Sequence, residues 1–98
     1  MDVNLETEIK TKVGIERRRN YLVLMPIVTA EITTNIGFSW EIKEEGNRAY
    51  TDDEECVESF RKELIRIYQT VEQKAKEQTE RVKEILKAVD DIAFLSGY

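Results

Sequence analysis

Residues 51–96 read TDDEECVESFRKELIRIYQTVEQKAKEQTERVKEILKAVDDIAFLS and contain neither glycine nor proline. Most of these residues favour helix, and apolar side chains return at every third or fourth position. The stretch therefore predicts one long C-terminal α-helix over residues 51–96. Thr51 followed by Glu54 is typical of a capping box at the helix start, and Gly97 is a typical residue just past a helix end.

An apolar stripe continues along the whole of this predicted helix with the spacing of a heptad repeat. Its members are Phe60, Leu64, Ile67, Val71, Ala75, Gln78, Val82, Ile85, Val89 and Ile92. A helix of about 45 residues is roughly 68 Å long, whereas a compact domain of this chain length has a radius of gyration of about 13 Å. We therefore expect the first half of the helix to pack on a sheet and the second half to extend beyond it.

The apolar positions of that second half need a cover. The predicted oligomer interface consists of Val82, Ile85, Leu86, Val89, Ile92 and Leu95. A second copy of the chain covers them in a homodimer or higher oligomer, and a helix that bends back near residues 74–80 covers them in a monomer. Residues 74–80 contain no glycine or proline to make a turn, so the sequence favours the homodimer.

Residues 1–50 form the β-sheet half of what we predict to be a single domain over residues 1–98. Strict alternation of apolar and polar side chains predicts a first strand at 3–13, followed by a connection at 14–20. A second strand is predicted at 21–34, with Pro26 marking a bulge, a bend or an edge-facing position. Alternation resumes in a third strand from Phe38 to Lys43.

The predicted fold class is therefore α+β. A three-stranded antiparallel β-meander is followed by one long C-terminal α-helix, and a bend near residues 74–80 is left open. This order of elements also occurs in small regulatory, viral and archaeal accessory proteins, but a likeness of fold does not assign a function.

Composition excludes several classes of function. The chain of 98 residues has a net charge of −5, which disfavours non-specific binding to nucleic acid or to an anionic membrane. It has one cysteine and no histidine, so an intramolecular disulfide is impossible and a zinc site is disfavoured. We expect a cytoplasmic protein without a signal peptide, and the longest apolar run is too short to span a bilayer.

The only basic run lies in the predicted connection between the first two strands. Arg17, Arg18 and Arg19 follow Glu16 there, and arginines at a hairpin tip are candidate contacts for nucleic-acid phosphates. A solvated loop is the alternative interpretation. The overall acidity of the chain, together with Glu16 inside the run, favours the solvated loop.

Three further groups have a structural and a functional interpretation. Phe38, Trp40 and Tyr50 form either a stacking surface or, as we expect, part of the core. Cys56 lies near the helix start without a histidine to activate it, so we expect a small core residue. The acidic residues 52–55 are explained by capping and by the helix dipole better than by cation binding.

The sequence predicts no catalytic residue, no bound cofactor and no metal site, and hence no enzyme. The predicted function is a small non-enzymatic protein-interaction or adaptor protein that self-associates through its C-terminal helix, in the manner of a viral or regulatory accessory factor. The partner protein is not identified by the sequence. The alternative is a nucleic-acid-associated regulator that uses the Arg17, Arg18 and Arg19 tips of a dimer.

Overall fold

The computed structural model describes residues 2–96 and confirms the α+β class, with an antiparallel sheet followed by one long helix. The predicted stop at Gly97 lies outside the described residues. The elements are β1 (Leu5–Arg17), β2 (Leu22–Thr34), β3 (Ser39–Glu45), β4 (Ala49–Tyr50) and α1 (Cys56–Ser96).

The sheet is built around β2, which pairs with each of the other three strands in antiparallel register. The strand order is β1-β2-β3, and β4 continues the β3 side by pairing with Val23 and Leu24. The predicted meander is confirmed, and β4 completes it at one end.

The first strand is longer than predicted, because β1 continues through Gly14 to Arg17. A Cβ atom on Gly14 would meet only ordinary van der Waals distances, the nearest being 3.6 Å to Ile27 Cδ1. Its φ is not positive, so the residue keeps normal strand geometry and does not end the strand. The predicted connection at 14–20 shrinks to a short turn, closed by the Arg18 amide donating to the Tyr21 carbonyl at 2.9 Å.

Pro26 lies inside β2 without a bulge, directly opposite Val13 in an unbroken register. Its carbonyl accepts from the Gly46 amide at 2.9 Å, on the side of the sheet occupied by β3 and β4. The amide and carbonyl of a strand residue point the same way, so the missing proline donor faces the interval between β3 and β4. Pro26 therefore lies in the central strand, at the break between its two neighbours on that side, and not at an edge of the sheet.

The core lies between α1 and one face of the sheet, which we call the helix face. Its buried members are Val28, Ala30, Ile32, Ile42, Ile67, Val71 and Ala75. Leu5, Ile9, Trp40 and Leu64 pack around this cluster and are partly buried. Full burial of one large aliphatic side chain stabilises the fold by roughly 1.5–3 kcal/mol. The first half of the predicted stripe is therefore core, as expected.

The helix starts at Cys56 rather than Thr51, and the predicted capping box is wrong. Thr51 instead closes the sheet, since its amide donates to the Leu22 carbonyl at 3.0 Å and its Oγ1 accepts from the Leu22 amide at 2.8 Å. Asp53 organises the turn before the helix by accepting from the Glu55 amide at 3.0 Å. In the first helical hydrogen bond, the Ser59 amide donates to the Glu55 carbonyl at 2.9 Å.

The molecule is elongated, with extents of 71 × 21 × 14 Å and a radius of gyration of 19.4 Å. Helix α1 is continuous through residues 74–80. The alternative of a helix that turns back on itself is therefore wrong. The sheet packs on the first part of α1, and the remainder projects past the end that carries the β2–β3 turn.

Candidate interaction surfaces

The six residues of the predicted interface lie on the projecting part of α1, residues 79–96, which we call the distal segment. We call these six residues the distal stripe: Val82, Ile85, Leu86, Val89, Ile92 and Leu95. Val82 and Leu86 are half-buried, whereas the side chains of the other four are between 47% and 75% exposed. The stripe is thus an apolar surface that the described residues of one chain leave largely open.

Polar contacts show where the sheet stops supporting the helix. Lys74 forms an ion pair with Glu44 of β3. One turn further, Trp40 Nε1 donates to Gln78 Oε1 at 3.0 Å. Ala75, between these two contacts, is buried in the core. The distal segment begins just beyond this point, which lies within residues 74–80, where the sequence left a bend open.

Charge is arranged around the distal stripe in a heptad pattern. With Val82 and Val89 at position a and Ile85 and Ile92 at position d, Leu86 falls at e. The charged residues between 82 and 95 occupy only positions b, c and f, and they are Lys83, Glu84, Lys87, Asp90 and Asp91. One side of the distal segment is therefore apolar across a wide arc, and the other side is charged.

The three arginines of the basic run are divided between the end of β1 and the turn that follows it. Arg17 is the last residue of β1, and alternation places it on the helix face, opposite Leu22. Glu16 points to the other face, and its carboxylate pairs with Arg18 Nη1 at 2.5 Å. Arg18 and Arg19 lie in the turn. No observation on this hairpin favours a phosphate site over a solvated turn.

The three aromatic residues also separate. Trp40 packs on the core as predicted, but Phe38 and Tyr50 are exposed, and Phe38 is 68% exposed. Tyr50 contacts Tyr21 edge to face, with ring centroids 6.2 Å apart. The expectation that all three are core is therefore wrong for two of them. Phe38 lies beside the β2–β3 turn, at the end of the sheet past which α1 projects.

The face of the sheet away from α1, which we call the open face, carries charge in rows. Glu8, Glu31 and Glu41 lie directly opposite one another on three neighbouring strands. The adjacent row places Lys10 and Lys43 on either side of a threonine. Like charges in direct cross-strand pairs are destabilising, so this polar face contains one unfavourable row.

The residues considered for chemistry lie at the start of α1 or just before it. Cys56 is half-buried at the first residue of α1. Within residues 2–96, no group of three or more Asp, Glu or Cys side chains is placed to hold a metal ion. Over the same part of the chain, no helix has a run of residues that is both long and apolar enough for a membrane span.

Comparison with protein-family models, curated proteins and solved structures finds no match to this chain.

Proposed function

We propose that this protein is a non-enzymatic interaction module that self-associates through the distal stripe of α1. The observation that carries the proposal is the exposure of Ile85, Val89, Ile92 and Leu95 on a helix segment beyond the sheet. Covering each of these side chains stabilises an assembly by up to roughly 1.5–3 kcal/mol. A second copy offers the same heptad spacing and so fits the stripe.

The two helices of this dimer run antiparallel. A heptad stripe on a straight helix drifts by only about 20° per heptad, so the distal stripe lies on nearly the same side of α1 as the core. A parallel pair of helices 8–10 Å apart leaves no room for two sheets between them. In an antiparallel pair, the distal segment of one copy continues the layer formed by the sheet of the other.

One antiparallel register pairs the a and d positions with each other. It places Val82 opposite Ile92 and Ile85 opposite Val89. The same register brings Leu95 of one copy level with Thr79 of the other, one residue past the Gln78 contact to Trp40. Phe38 lies at that end of the sheet, so this register brings Leu95 toward Phe38. These are the two most exposed large apolar side chains of the described residues.

Such a dimer holds one sheet at each of its two ends. The open faces and the edges of the sheets stay accessible, which suits an adaptor that links two copies of a partner protein. No chemical step is required of any residue in this arrangement. The function is the spacing and orientation of two binding surfaces by a helical pair.

The test is the mass of the full chain in solution as a function of concentration. Replacing two stripe residues, Ile85→Gln and Val89→Gln, keeps helix propensity and removes apolar contact. We expect this variant to lose the helix-mediated association, with a dissociation constant raised at least about tenfold. Light scattering or sedimentation equilibrium measures the change.

The matched control is the pair Lys83→Gln and Lys87→Gln, which has the same four-residue spacing on the charged side of the same helix. We expect the control to associate as the unchanged protein does. Equal concentration dependence for the stripe variant and the unchanged protein would contradict the proposal. Circular dichroism checks that both variants keep their helix content.

A further inference from the structure

β1 is a long, regular strand at the edge of the sheet. Among the described strands it pairs only with β2, over 13 consecutive residues without a bulge, and it contains no proline. Natural proteins usually protect such an edge with a bulge, a proline, a short strand or a covering element. β1 has none of these four devices. It does carry charged side chains, which are another protection of an edge, but they are of both signs, so a strand of complementary charge can pair with its free side.

The backbone groups on the free side belong to the odd-numbered residues. The Asn35 amide donates to the Asn4 carbonyl at 3.2 Å, and the Arg18 amide donates to the Tyr21 carbonyl at 2.9 Å. Even-numbered residues of this strand therefore turn their amides and carbonyls toward β2. By alternation, residues such as Thr7, Ile9 and Thr11 present theirs to the free edge.

The sequence of β1 is self-complementary about Ile9. Residues 5–13 read LETEIKTKV, in which apolar residues and threonines repeat symmetrically and the charges change sign across the centre. Antiparallel pairing of two such strands sets Glu6 opposite Lys12 and Glu8 opposite Lys10, each twice. The remaining positions match Leu5 with Val13, Thr7 with Thr11, and Ile9 with Ile9.

Neighbouring registers lose this match. A two-fold axis through Glu8 sets that carboxylate against itself, and one through Lys10 does the same with the ammonium group. An axis through Thr11 sets Lys10 against Lys12 and Glu6 against Glu16. Like charges directly opposite one another are destabilising, so the axis through Ile9 is favoured over each of these alternatives.

We propose that the β1 strands of two copies pair antiparallel about Ile9 and join the two sheets into one. The odd-numbered residues, whose backbone amides and carbonyls point to the free edge, then form hydrogen-bonded pairs. These pairs supply about ten backbone hydrogen bonds in total. The glutamate–lysine pairs fall at the intervening positions, where Cα atoms are only about 4.5 Å apart and side chains approach most closely. The partner at this edge is a second copy of the chain.

The rest of the molecule leaves room for this pairing. α1 packs mainly on β2 and β3 rather than on β1, and Val13 of β1 is 47% exposed on the helix face. Pairing adds cover to Val13 and to the half-buried Leu5 and Ile9. The two β2 strands lie roughly 14 Å apart at about 4.8 Å per strand, which exceeds the 8–10 Å separation of packed helices.

This inference does not depend on the distal stripe and goes beyond the proposed function. The two distal segments point in opposite directions from the joined sheet, so they take no part in the contact. Either interface can therefore be removed while the other is measured. Tests of the edge are made with Ile85→Gln and Val89→Gln already present, so that association through α1 is weakened equally in every sample that is compared.

Charge exchange provides the first test. In that background, Lys10→Glu with Lys12→Glu makes all four charged positions of residues 5–13 acidic, and Glu6→Lys with Glu8→Lys makes them all basic. We expect each variant alone to weaken self-association at least about tenfold. An equimolar mixture of the two restores a dimer, and so does a single chain that carries all four substitutions.

A cross-link provides the second test and reads the register directly. With Cys56→Ala present, Ile9→Cys places two thiols across the two-fold axis, at the Cα separation of about 5.5 Å that a disulfide requires. Thr7→Cys is the matched control. Residue 7 of one copy lies opposite residue 11 of the other, so the two introduced thiols do not face each other. We expect an interchain disulfide for Ile9→Cys and none for Thr7→Cys.

Several results would overturn the inference. They are a monomeric background protein at every concentration, an acidic and basic mixture that stays monomeric, or equal cross-linking at residues 7 and 9. Circular dichroism of each variant confirms that the sheet and helix are retained. If one charge variant unfolds, the fully exchanged chain and the cross-link decide the question without it.

Discussion

At the residue scale, Glu63 fixes α1 to the loop between β3 and β4. Its carboxylate accepts from the Asn47 amide at 2.9 Å and from Arg66 Nε at 3.1 Å. The side chain is only 13% exposed. Beside it, Gly46 leaves no space for a side chain, since a Cβ atom there would lie 2.6 Å from Glu63 Cγ and 2.8 Å from Pro26 Cγ.

The surroundings of Glu63 make the stability of the fold depend on pH. The hydrogen bond from Arg66, followed by that from the Asn47 amide, lowers the pKa of Glu63 below its ordinary value of 4.5. The unfolded chain binds the proton more readily than the folded one. The stabilisation is therefore complete above the unfolded pKa and is lost as pH falls through the folded pKa.

We expect Glu63→Gln to lower the free energy of unfolding by about 1–2 kcal/mol at neutral pH, because charged hydrogen bonds to Asn47 and Arg66 are replaced by weaker ones. The difference from the unchanged protein shrinks as pH falls below about 4.5. Urea denaturation between neutral pH and about pH 3 measures it. Glu72→Gln, at an exposed position of the same helix, is the control. A difference that does not change with pH would contradict the assignment.

Glu63 shows what sequence reasoning leaves out at this scale. Its spacing to Arg66 indicates an intrahelical ion pair, which many surface helices contain. The contact with Asn47 joins residues 16 positions apart through the fold, and no local pattern indicates it. The exposure of Phe38 has the same origin, because strand parity predicts a face and not whether the helix covers it.

At the element scale, the three glutamates across the sheet set an unfavourable row in the middle of β2. Glu31 is flanked by Glu8 on one side and Glu41 on the other. Both neighbours are directly opposite, where cross-strand interactions are strongest. Replacing the central member removes two repulsive pairs, whereas replacing an outer member removes one.

We expect Glu31→Thr to raise the free energy of unfolding by about 1 kcal/mol at low salt, because threonine favours strand and relieves both repulsions. Glu41→Thr is the graded comparison and gives the smaller gain. The gain from Glu31→Thr shrinks in high salt, since these carboxylates are partly solvated. Thermal denaturation measures both variants. A fall in stability for Glu31→Thr would show that attraction to the lysines of the adjacent row outweighs the repulsion among the three glutamates.

The elements themselves differ in how well sequence predicts them. The helix is predictable because 41 consecutive residues contain no glycine or proline. The strands are predictable because apolar and polar side chains alternate along them. Element ends are harder, because Gly14 fits normal strand geometry and Thr51 bonds to β2 instead of capping the helix. The self-complementary pattern in residues 5–13 is visible in the sequence, but only the topology shows that β1 is a free edge.

At the scale of the whole molecule, the two proposed interfaces lie at different places and have different two-fold axes. The edge axis runs perpendicular to the sheet through Ile9. The two-fold axis of the interface formed by α1 lies near residue 87, beyond the end of the sheet. Each interface alone closes a dimer. Because the axes do not meet, a protein that uses both extends from copy to copy instead of closing.

The two interfaces therefore predict a specific set of assemblies. We expect the unchanged protein to grow beyond a dimer with concentration, and the Ile85→Gln, Val89→Gln variant to stop at a dimer joined through β1. The Lys10→Glu, Lys12→Glu variant stops at a dimer joined through α1. Combining all four substitutions gives a folded monomer. Light scattering across a concentration series measures the masses.

The two dimers also differ in shape, which separates them where their masses agree. The helix-joined dimer is about 115 Å long, because each copy measures 71 Å and residues 79–96 overlap by about 27 Å at 1.5 Å per residue. The edge-joined dimer is shorter and wider, since two sheets lie side by side. Small-angle scattering distinguishes the two forms. Identical profiles for the two variants would contradict the assignment of two separate interfaces.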